Sequence, residues 1–350
     1  MKKSEALRVR RATAQDVARL AGVSRSAVSR TFTPGAAVSP ATRQKVLTAA
    51  EELRYVPNAA ARSLMTKRSN LIAVVVSNQA NTTYGHLLEC FSGKLMEIGY
   101  NVFLITAVEA TTDEDQLLQM LRYPVDGFVV TAAASLEFSR QICKHCVALG
   151  IPAVTLNRTF VDIDLSSINC DHKGGGAMAA NVLADSGLKR LGIIVGREPT
   201  TVNTERMNGF LERVAERGLA PPAVVRARQF NFESGYEAAA DLLAKNPDIE
   251  GLFCVNDQIA IGAIEMVRKD LKLHVPQDLS IIGFDNMPSA AWPSFDLSTI
   301  QQPIEEMVDE TLRLLMKTID NDASPTTHAV LPVQLVRRGT TFLPHDRGVI

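Results

Sequence analysis

No stretch of this 350-residue chain is apolar for long enough to span a bilayer, so no membrane partner is expected. The basic start, MKKSEALRVRRATAQ, lacks the apolar core of a secretory signal, and the cytoplasm is the expected compartment. Cysteine is sparse and odd in number. The five residues Cys90, Cys143, Cys146, Cys170 and Cys254 sit in apolar contexts that suit reduced thiols. Cys143 and Cys146 form CKHC but lack the second ligand pair of a structural zinc site, so they read as helix-face residues and no metal is expected. The run Gly174–Gly176 has neither the spacing of a dinucleotide fingerprint nor the Lys-Ser/Thr of a P-loop. It opens a helix and reads as a tight strand-to-helix connection, with His172 beside it as a surface loop histidine. There is no nucleophile elbow and no metalloprotease helix, and DNMPS offers no triad partner. No cofactor is expected.

What is present is an uneven distribution of charge. Hydrophobic residues make up 46% and charged residues 21%, as in ordinary globular proteins, and the length suggests two or three domains. The formal net charge is -1, yet residues 1–70 hold fourteen Lys and Arg against four Asp and Glu, which leaves an acidic remainder. A basic head on an acidic body points to a polyanion partner for the head alone, although a solvated basic tail would look the same by charge.

Residues 13–56 read as three short helices. Thr13 with Asp16 forms a capping-box pattern, and Val17 and Leu20 give the first helix an apolar face. Gly22 permits a left-handed turn, Ser24 caps a second helix, and Val23 and Val28 face inward. Ser39-Pro40 opens a third helix with Val46, Leu47, Ala50 and Leu53 as its apolar stripe. This is the layout of a helix-turn-helix, in which the second helix enters the major groove of double-stranded DNA. Arg25, Ser26, Ser29 and Arg30 then lie outward, and arginine can pair bidentately with guanine. The hydroxyls of Thr13 and Ser24, at helix N-termini, suit phosphate contacts. A small helical domain with a solvated arginine face is the competing reading. The segment NAAARSLMTKRSN, Asn58 to Asn70, is alanine-rich and too bare of apolar surface to be a stable helix alone.

From Leu71 onward, apolar runs of strand length alternate with helical segments: LIAVVV, NVFLIT, GFVVTA, PAVTL, LGIIVG, AVVRAR, GLFCVN and LSIIGFD. Such runs imply parallel sheets covered on both faces, here in two doubly wound subdomains split near Cys170. STIQQP and HAVLPVQLVRRG offer further strands that cross back between them. Ligands of such sheets sit beyond the carboxyl ends of the strands. Asn78, Asn157, Arg158, Asn256, Asp257 and Asp285 fall there, and Arg206 sits on the helix after GIIVG. Amide, carboxylate and guanidinium groups around a cleft suit a hydroxyl-rich small molecule. Arg158 and Asp257 read equally well as structural supports.

The blocks TAQDVARLAGVSRSAVSRTF and VSPATRQKVLTAAEELRYVPNAAARSL closely resemble the LacI/GalR family of bacterial transcriptional regulators. So do VDGFVV, GIPAVTLNR, ND..AIGA, LSIIGFDN and LSTIQQP, and the likeness runs from about Thr13 to about Gly339. The resemblance implies an α-helical helix-turn-helix head (13–56) behind a basic tail (1–12), and a hinge helix or linker (57–70). It also implies an α/β body of the periplasmic-binding-protein fold, with one subdomain at 71–169 plus about 302–331 and the other at 170–301 plus about 332–343. It implies a homodimer on a palindromic operator and a small-molecule effector, a sugar or sugar derivative, between the lobes. Effector binding would close or rotate the lobes and so shift the hinge helices. By the same resemblance Arg25, Ser26 and Arg30 contact bases, Ser24, Ser39 and Asn58 join Thr13 at phosphates, and Ala61 and Leu64 enter the minor groove, Leu64 as the wedge. Asn157, Arg206, Asn256 and Asp285 match effector-binding positions. The chain departs from the family at NTTY, Asn81 to Tyr84, where many relatives have NPFF. Tyr84 can still stack on a ring, and Trp292, the single tryptophan, falls near the expected cleft rim or in a core. Two other readings stay open: a regulator that has lost its effector response, and a sugar- or nucleotide-acting enzyme with a basic appendage.

Overall fold

The computed structural model describes residues 11–33, 35–57, 68–77, 82–107, 120–132, 135–196, 200–321 and 325–342. The chain divides into two compact units between Ser69 and Asn70. The first unit contains α1 (Ala14–Ala21), α2 (Arg25–Thr31) and α3 (Pro40–Glu52). Its helix ends are fixed by side chains. The Thr13 hydroxyl accepts from Asp16 N while Asp16 returns a bond to Thr13 N, Ser24 accepts from Ala27 N, and Ser39 accepts from Thr42 N. Gly22, at φ 65°, closes α1 in the left-handed conformation that glycine adopts without penalty. Arg43 of α3 donates to Thr31 O at 2.9 Å and ties the end of α2 to the third helix.

Val17, Ala18, Val28, Val46, Ala49 and Ala50 form the buried core of this unit, with Val23, Phe32, Leu53 and Tyr55 packed around it. Leu20 and Leu47 are not in it; they are 47% and 41% exposed. At 3.6 residues per turn both lie about 110° around the axis from the buried stripe of their helix. Ala18 and Ala49 take the buried places beside Val17, Val46 and the expected Ala50, and Leu53 packs against them as expected.

The second unit holds two six-stranded sheets. The first orders as β11-β5-β4-β3-β1-β2 and the second as β12-β10-β9-β8-β6-β7. Their strands are β1 (Leu71–Ser77), β2 (Asn101–Ala107), β3 (Gly127–Thr131), β4 (Ala153–Leu156), β5 (Ser167–Cys170) and β6 (Leu191–Val195). Then come β7 (Ala223–Arg226), β8 (Gly251–Cys254), β9 (Ser280–Asp285), β10 (Ser298–Gln301), β11 (His328–Leu331) and β12 (Gln334–Val336). All pairings are parallel except that of β12 with β10. Central strands such as β3, β4, β6 and β8 are buried at every residue, whereas the edge strand β7 alternates. That contrast is what helices on both faces of a parallel sheet produce.

The helices of this unit are α4 (Thr82–Glu97), α5 (Leu136–Leu149), α6 (His172–Asp185), α7 (Thr201–Glu216), α8 (Phe232–Lys245), α9 (Asp257–Lys269) and α10 (Ile304–Ile319). The chain passes from the first sheet to the second at Asp171, back at 302–303, and forward again at 332–333. Cys143 and Cys146 lie fully buried on α5, and burial pushes both thiols up to about 12. Among the described residues no group of His, Cys, Asp and Glu is placed to hold a metal.

The three glycines 174–176 correct the sequence expectation. They lie inside α6 rather than in a connection to it. A Cβ on Gly174 would collide with the Asp171 carboxylate that caps the helix, one on Gly175 with the Phe284 ring, and one on Gly176 with Arg206 O. Gly209 of α7 answers in kind, since its Cβ would meet Lys173 O. The glycines therefore bring α6 and α7 into backbone contact and seat Phe284 beneath them.

Candidate nucleic-acid interface and ligand cleft

Arg25, Ser26 and Arg30 are exposed on α2, away from Val28 and the core. Ser26 pairs with the Ser24 hydroxyl at 2.9 Å, and Arg30 Nε donates to Ser26 O at 3.4 Å. Both guanidinium-bearing residues, Arg25 and Arg30, remain exposed to solvent. The hydroxyls of Thr13, Ser24 and Ser39 each cap a helix and remain at the surface, at the positive end of a helix dipole. Asn58, Ala61 and Leu64 lie outside the described residues.

In the body, the carboxyl ends of the two sheets carry a closed cycle of hydrogen bonds. Arg206, on α7, donates from Nε to His172 Nδ1 at 3.3 Å. Because a guanidinium can only donate, His172 Nδ1 is the bare nitrogen, and the neutral ring carries its proton on Nε2. That nitrogen lies 3.1 Å from Asn157 Oδ1 and donates to it. Asn157 Nδ2 donates to Gln302 Oε1 at 2.8 Å, and Gln302 Nε2 donates to Asp285 Oδ1 at 2.7 Å. Arg206 Nη2 closes the cycle on Asp285 Oδ1 at 3.0 Å. Asn157 follows β4 and Gln302 follows β10, so the cycle joins groups borne by both sheets. Cys170, the last residue of β5, packs against it with Sγ 3.4 Å from Gln302 Oε1.

Arg206 is held from further sides. Its Nη1 donates to Val255 O at 2.6 Å, and its guanidinium stands 3.6 Å over the centre of the Phe284 ring. Burial and the neighbouring Arg206 cation hold His172 well below its ordinary value of 6.5, in keeping with a neutral ring. Asp257 is wholly buried, accepting from Met287 N at 2.8 Å and from the Thr299 hydroxyl at 2.5 Å. Burial first, and then Asp285, push its carboxyl well above the usual range. The backbone is strained where the cycle is anchored, with Asn157 at φ 55° and Asp285 at φ 113°.

Three of the sequence-derived residues, Asn157, Arg206 and Asp285, come together in this cycle. Asn256 stands next to Val255, but its carboxamide oxygen caps α9 by accepting Ile259 N at 2.9 Å. Arg158 is buried and braces the edge of the first sheet, donating to Ala132 O and Ser135 O at 3.0 and 3.2 Å. Asn78 lies outside the described residues, and Tyr84 belongs to the first turn of α4. Trp292 is displaced from both of its expected places. It is 58% exposed, not buried in a core, and stacks on Phe295. Its loop is fastened by Arg268 to Ser294 O at 2.5 Å, and Arg268 lies in the last turn of α9, which begins at the cleft and runs away from it. His172 is likewise corrected: it is 1% exposed and a member of the cycle, because it opens α6 as a buried residue rather than lying in a surface loop.

Sequence reasoning missed the part of His172 and Gln302 in the cycle, and the packing of Phe230. Gln302 stood in the quoted STIQQP, and its place after a strand was a usable signal. Phe230 is half-buried, with its ring over Gly196 at the end of β6, where any Cβ would strike it. Nothing in the linear sequence marks that approach.

A family model described as bacterial regulatory proteins, lacI family, matches residues 13–58, and one described as a periplasmic binding protein-like domain matches residues 160–341. The HTH-type transcriptional regulator DegA of Bacillus subtilis (strain 168) is 31% identical over 332 residues, covering 94% of this chain and 98% of DegA. The chain belongs to the LacI family. It is a DNA-binding transcriptional regulator with a helix-turn-helix head and a periplasmic-binding-protein-like body. Among solved structures, a transcriptional regulator CelR–cellobiose complex matches with a TM-score of 0.71 at 28% identity, over 94% of this chain and all of that one. The fold also matches the lac repressor dimer bound to operator and an anti-inducer, with a TM-score of 0.83 at 24% identity, over 95% of this chain and 100% of that chain. Among the described residues no helix is long and apolar enough to cross a membrane.

Proposed function

We propose that this regulator is a homodimeric repressor that binds a palindromic operator and answers to a small polyhydroxylated effector held between the lobes of residues 71–343. Arg25, Ser26 and Arg30 read base edges in the major groove, and Thr13, Ser24, Ser39 and Asn58 position the head on phosphates. Residues 57–70 act as the hinge, with Ala61 and Leu64 in the minor groove. In the cleft, Asn157, Arg206 and Asp285 hold the effector, with Asn78, Tyr84 and Asn256 around it. The cleft binds rather than catalyses. The effector changes operator affinity by a coupling free energy of about 1–3 kcal/mol between the two sites.

One observation carries this reading: α2 is capped, follows a left-handed glycine turn, and turns Arg25, Ser26 and Arg30 outward. The test is selection of a binding site from a randomised duplex library, followed by fluorescence anisotropy on the selected duplex. A two-fold symmetric consensus bound by a dimer, with affinity falling steeply as salt rises, is expected. An asymmetric site, or no enrichment, refutes the operator reading. Leu64→Ser is expected to weaken operator binding while leaving ligand binding nearly unchanged.

A further inference from the structure

The cleft contains a cation and an anion, yet its charge is internally matched. Arg206 has five N–H groups. One goes to neutral His172, one to Val255 O and one to Asp285, while its face lies on Phe284. The two remaining N–H groups project from nitrogens already committed to Val255 and Asp285. An anionic ligand brought to Arg206 would have to displace the Asp285 carboxylate or sit beside it. A hydroxyl meets no such conflict: it accepts from Arg206 while donating to Asp285, and an adjacent hydroxyl does the same at Asn157 and Gln302.

His172 sets this arrangement. Its Nδ1 accepts from Arg206 Nε–H and so turns the guanidinium toward Asp285; its Nε2–H donates to Asn157 Oδ1 and so turns the Asn157 amide toward Gln302. The charged group bonded to it is Arg206, itself paired with Asp285, and the preceding Asp171 caps α6 by accepting Gly174 N at 2.7 Å. No second cation faces the ring on α6, α7 or β9 among the described residues; Lys173 points to Glu212 at 2.7 Å on the outside.

We propose that His172 is the specificity-determining residue of the cleft, selecting an uncharged ligand with adjacent hydroxyls over its phosphorylated or carboxylated counterpart. This rests on the reading of the cleft as an effector site. The ligand must open the cycle and replace its bonds, so it must offer donors and acceptors side by side. A phosphate or carboxylate offers acceptors only and adds a charge beside Asp285.

The test is isothermal titration of the full-length protein with neutral pentoses, hexoses and disaccharides, each run against its sugar phosphate or sugar acid, and with free purines. Operator anisotropy is measured on the same preparation, so loss of the DNA-binding reading shows up separately. At least one neutral sugar is expected to bind with saturation, its charged counterpart being about tenfold weaker or worse. A charged form or a purine binding as tightly as the best neutral sugar, or no neutral sugar binding at all, overturns the inference even where operator binding is intact. His172→Leu removes the acceptor of Arg206 Nε and one of the two donors to Asn157 Oδ1, the other being Cys170 N at 3.3 Å; it is expected to weaken the neutral sugar about tenfold and to narrow the preference over the charged form. His172→Gln, which keeps an acceptor and a donor, is expected to restore that preference. A Leu variant with the parent's preference would show that His172 is merely structural.

Discussion

In the head, Arg25, Ser26 and Arg30 stand exposed on a seven-residue helix, while in the body the side chains of Arg206 and Asp285 are each 6% exposed and bonded to one another. Both regions are built to recognise a polar partner, but they store that capacity differently. The head leaves its donors in water, where a polyanion can collect them at little desolvation cost and with strong salt dependence. The body takes its donors and acceptors out of water and satisfies them against each other, so a ligand must exchange bond for bond. Loss of an exposed arginine of the head should therefore cost binding alone, whereas loss of a cleft residue should cost folding as well.

The sharpest test of that contrast is Arg206→Met. It strands the buried Asp285 carboxylate, and removal of one partner from a buried ion pair typically costs about 3–5 kcal/mol. Denaturant unfolding of the full chain should show a body transition weakened by that amount. The double variant Arg206→Met/Asp285→Leu should recover much of it, since no unpaired charge then remains. Unfolding unchanged in the single variant would mean that the pair is not held out of water and would erase the contrast. The counterpart in the head is Arg25→Ala. It should cost about 1–3 kcal/mol in discrimination at the operator, read by anisotropy against matched and mutated duplexes. The unfolding transitions of both units should stay where they are.

The same contrast explains what could be read from sequence. The head was legible because its signals are local: caps at Thr13, Ser24 and Ser39, a turn at Gly22, and a short apolar pattern. Even there Leu20 and Leu47 misled, since they lie off the buried stripe that Val17, Ala18, Val46, Ala49 and Ala50 form. In the body the eight apolar runs each became a strand, because central parallel strands carry near-continuous apolar sequence. β5, Ser167–Cys170, escaped notice; its sequence SINC is short and half polar, and it is a strand only because β4 and β11 flank it. Strand ends located Asn157 and Asp285, but His172 and Gln302 join them across 15 and 145 residues of chain from Asn157. Pairings of that span are a property of the fold, and a histidine beside three glycines gives no sign of being buried.

Acid should separate the regions by a smaller margin. His172 stays neutral in the folded body because burial and Arg206 hold it well below 6.5, whereas the unfolded chain takes up a proton near that value. The unfolded state thus binds more protons as pH falls below about 6.5, and stability is lost in that direction. Relative to His172→Gln, the parent should lose body stability as pH falls from 7 to 5, as measured by denaturant midpoints at each pH. The head contains no histidine among its residues 11–57, and its transition should not show this dependence. A parent and variant that run parallel in pH would mean that His172 protonates in place.

The smallest effect concerns whether a residue that is bonded within the head is still available to a partner. Ser39 accepts from Thr42 N at 3.2 Å and also donates to the Thr42 hydroxyl at 2.8 Å, yet it remains exposed. Ser39→Ala removes the cap and should cost the head about 1 kcal/mol. Ser39→Asp keeps the cap, because a carboxylate accepts the same backbone N–H and is favoured at a helix N-terminus. The two variants therefore part company on DNA. If the hydroxyl serves only the helix, Asp restores stability and operator affinity together. If it also meets a phosphate, Asp restores stability while weakening the operator complex below that of the Ala variant, since it sets one negative charge against another. The second pattern is the expected one, and it would show that exposure, rather than freedom from internal bonds, makes a head residue available for recognition.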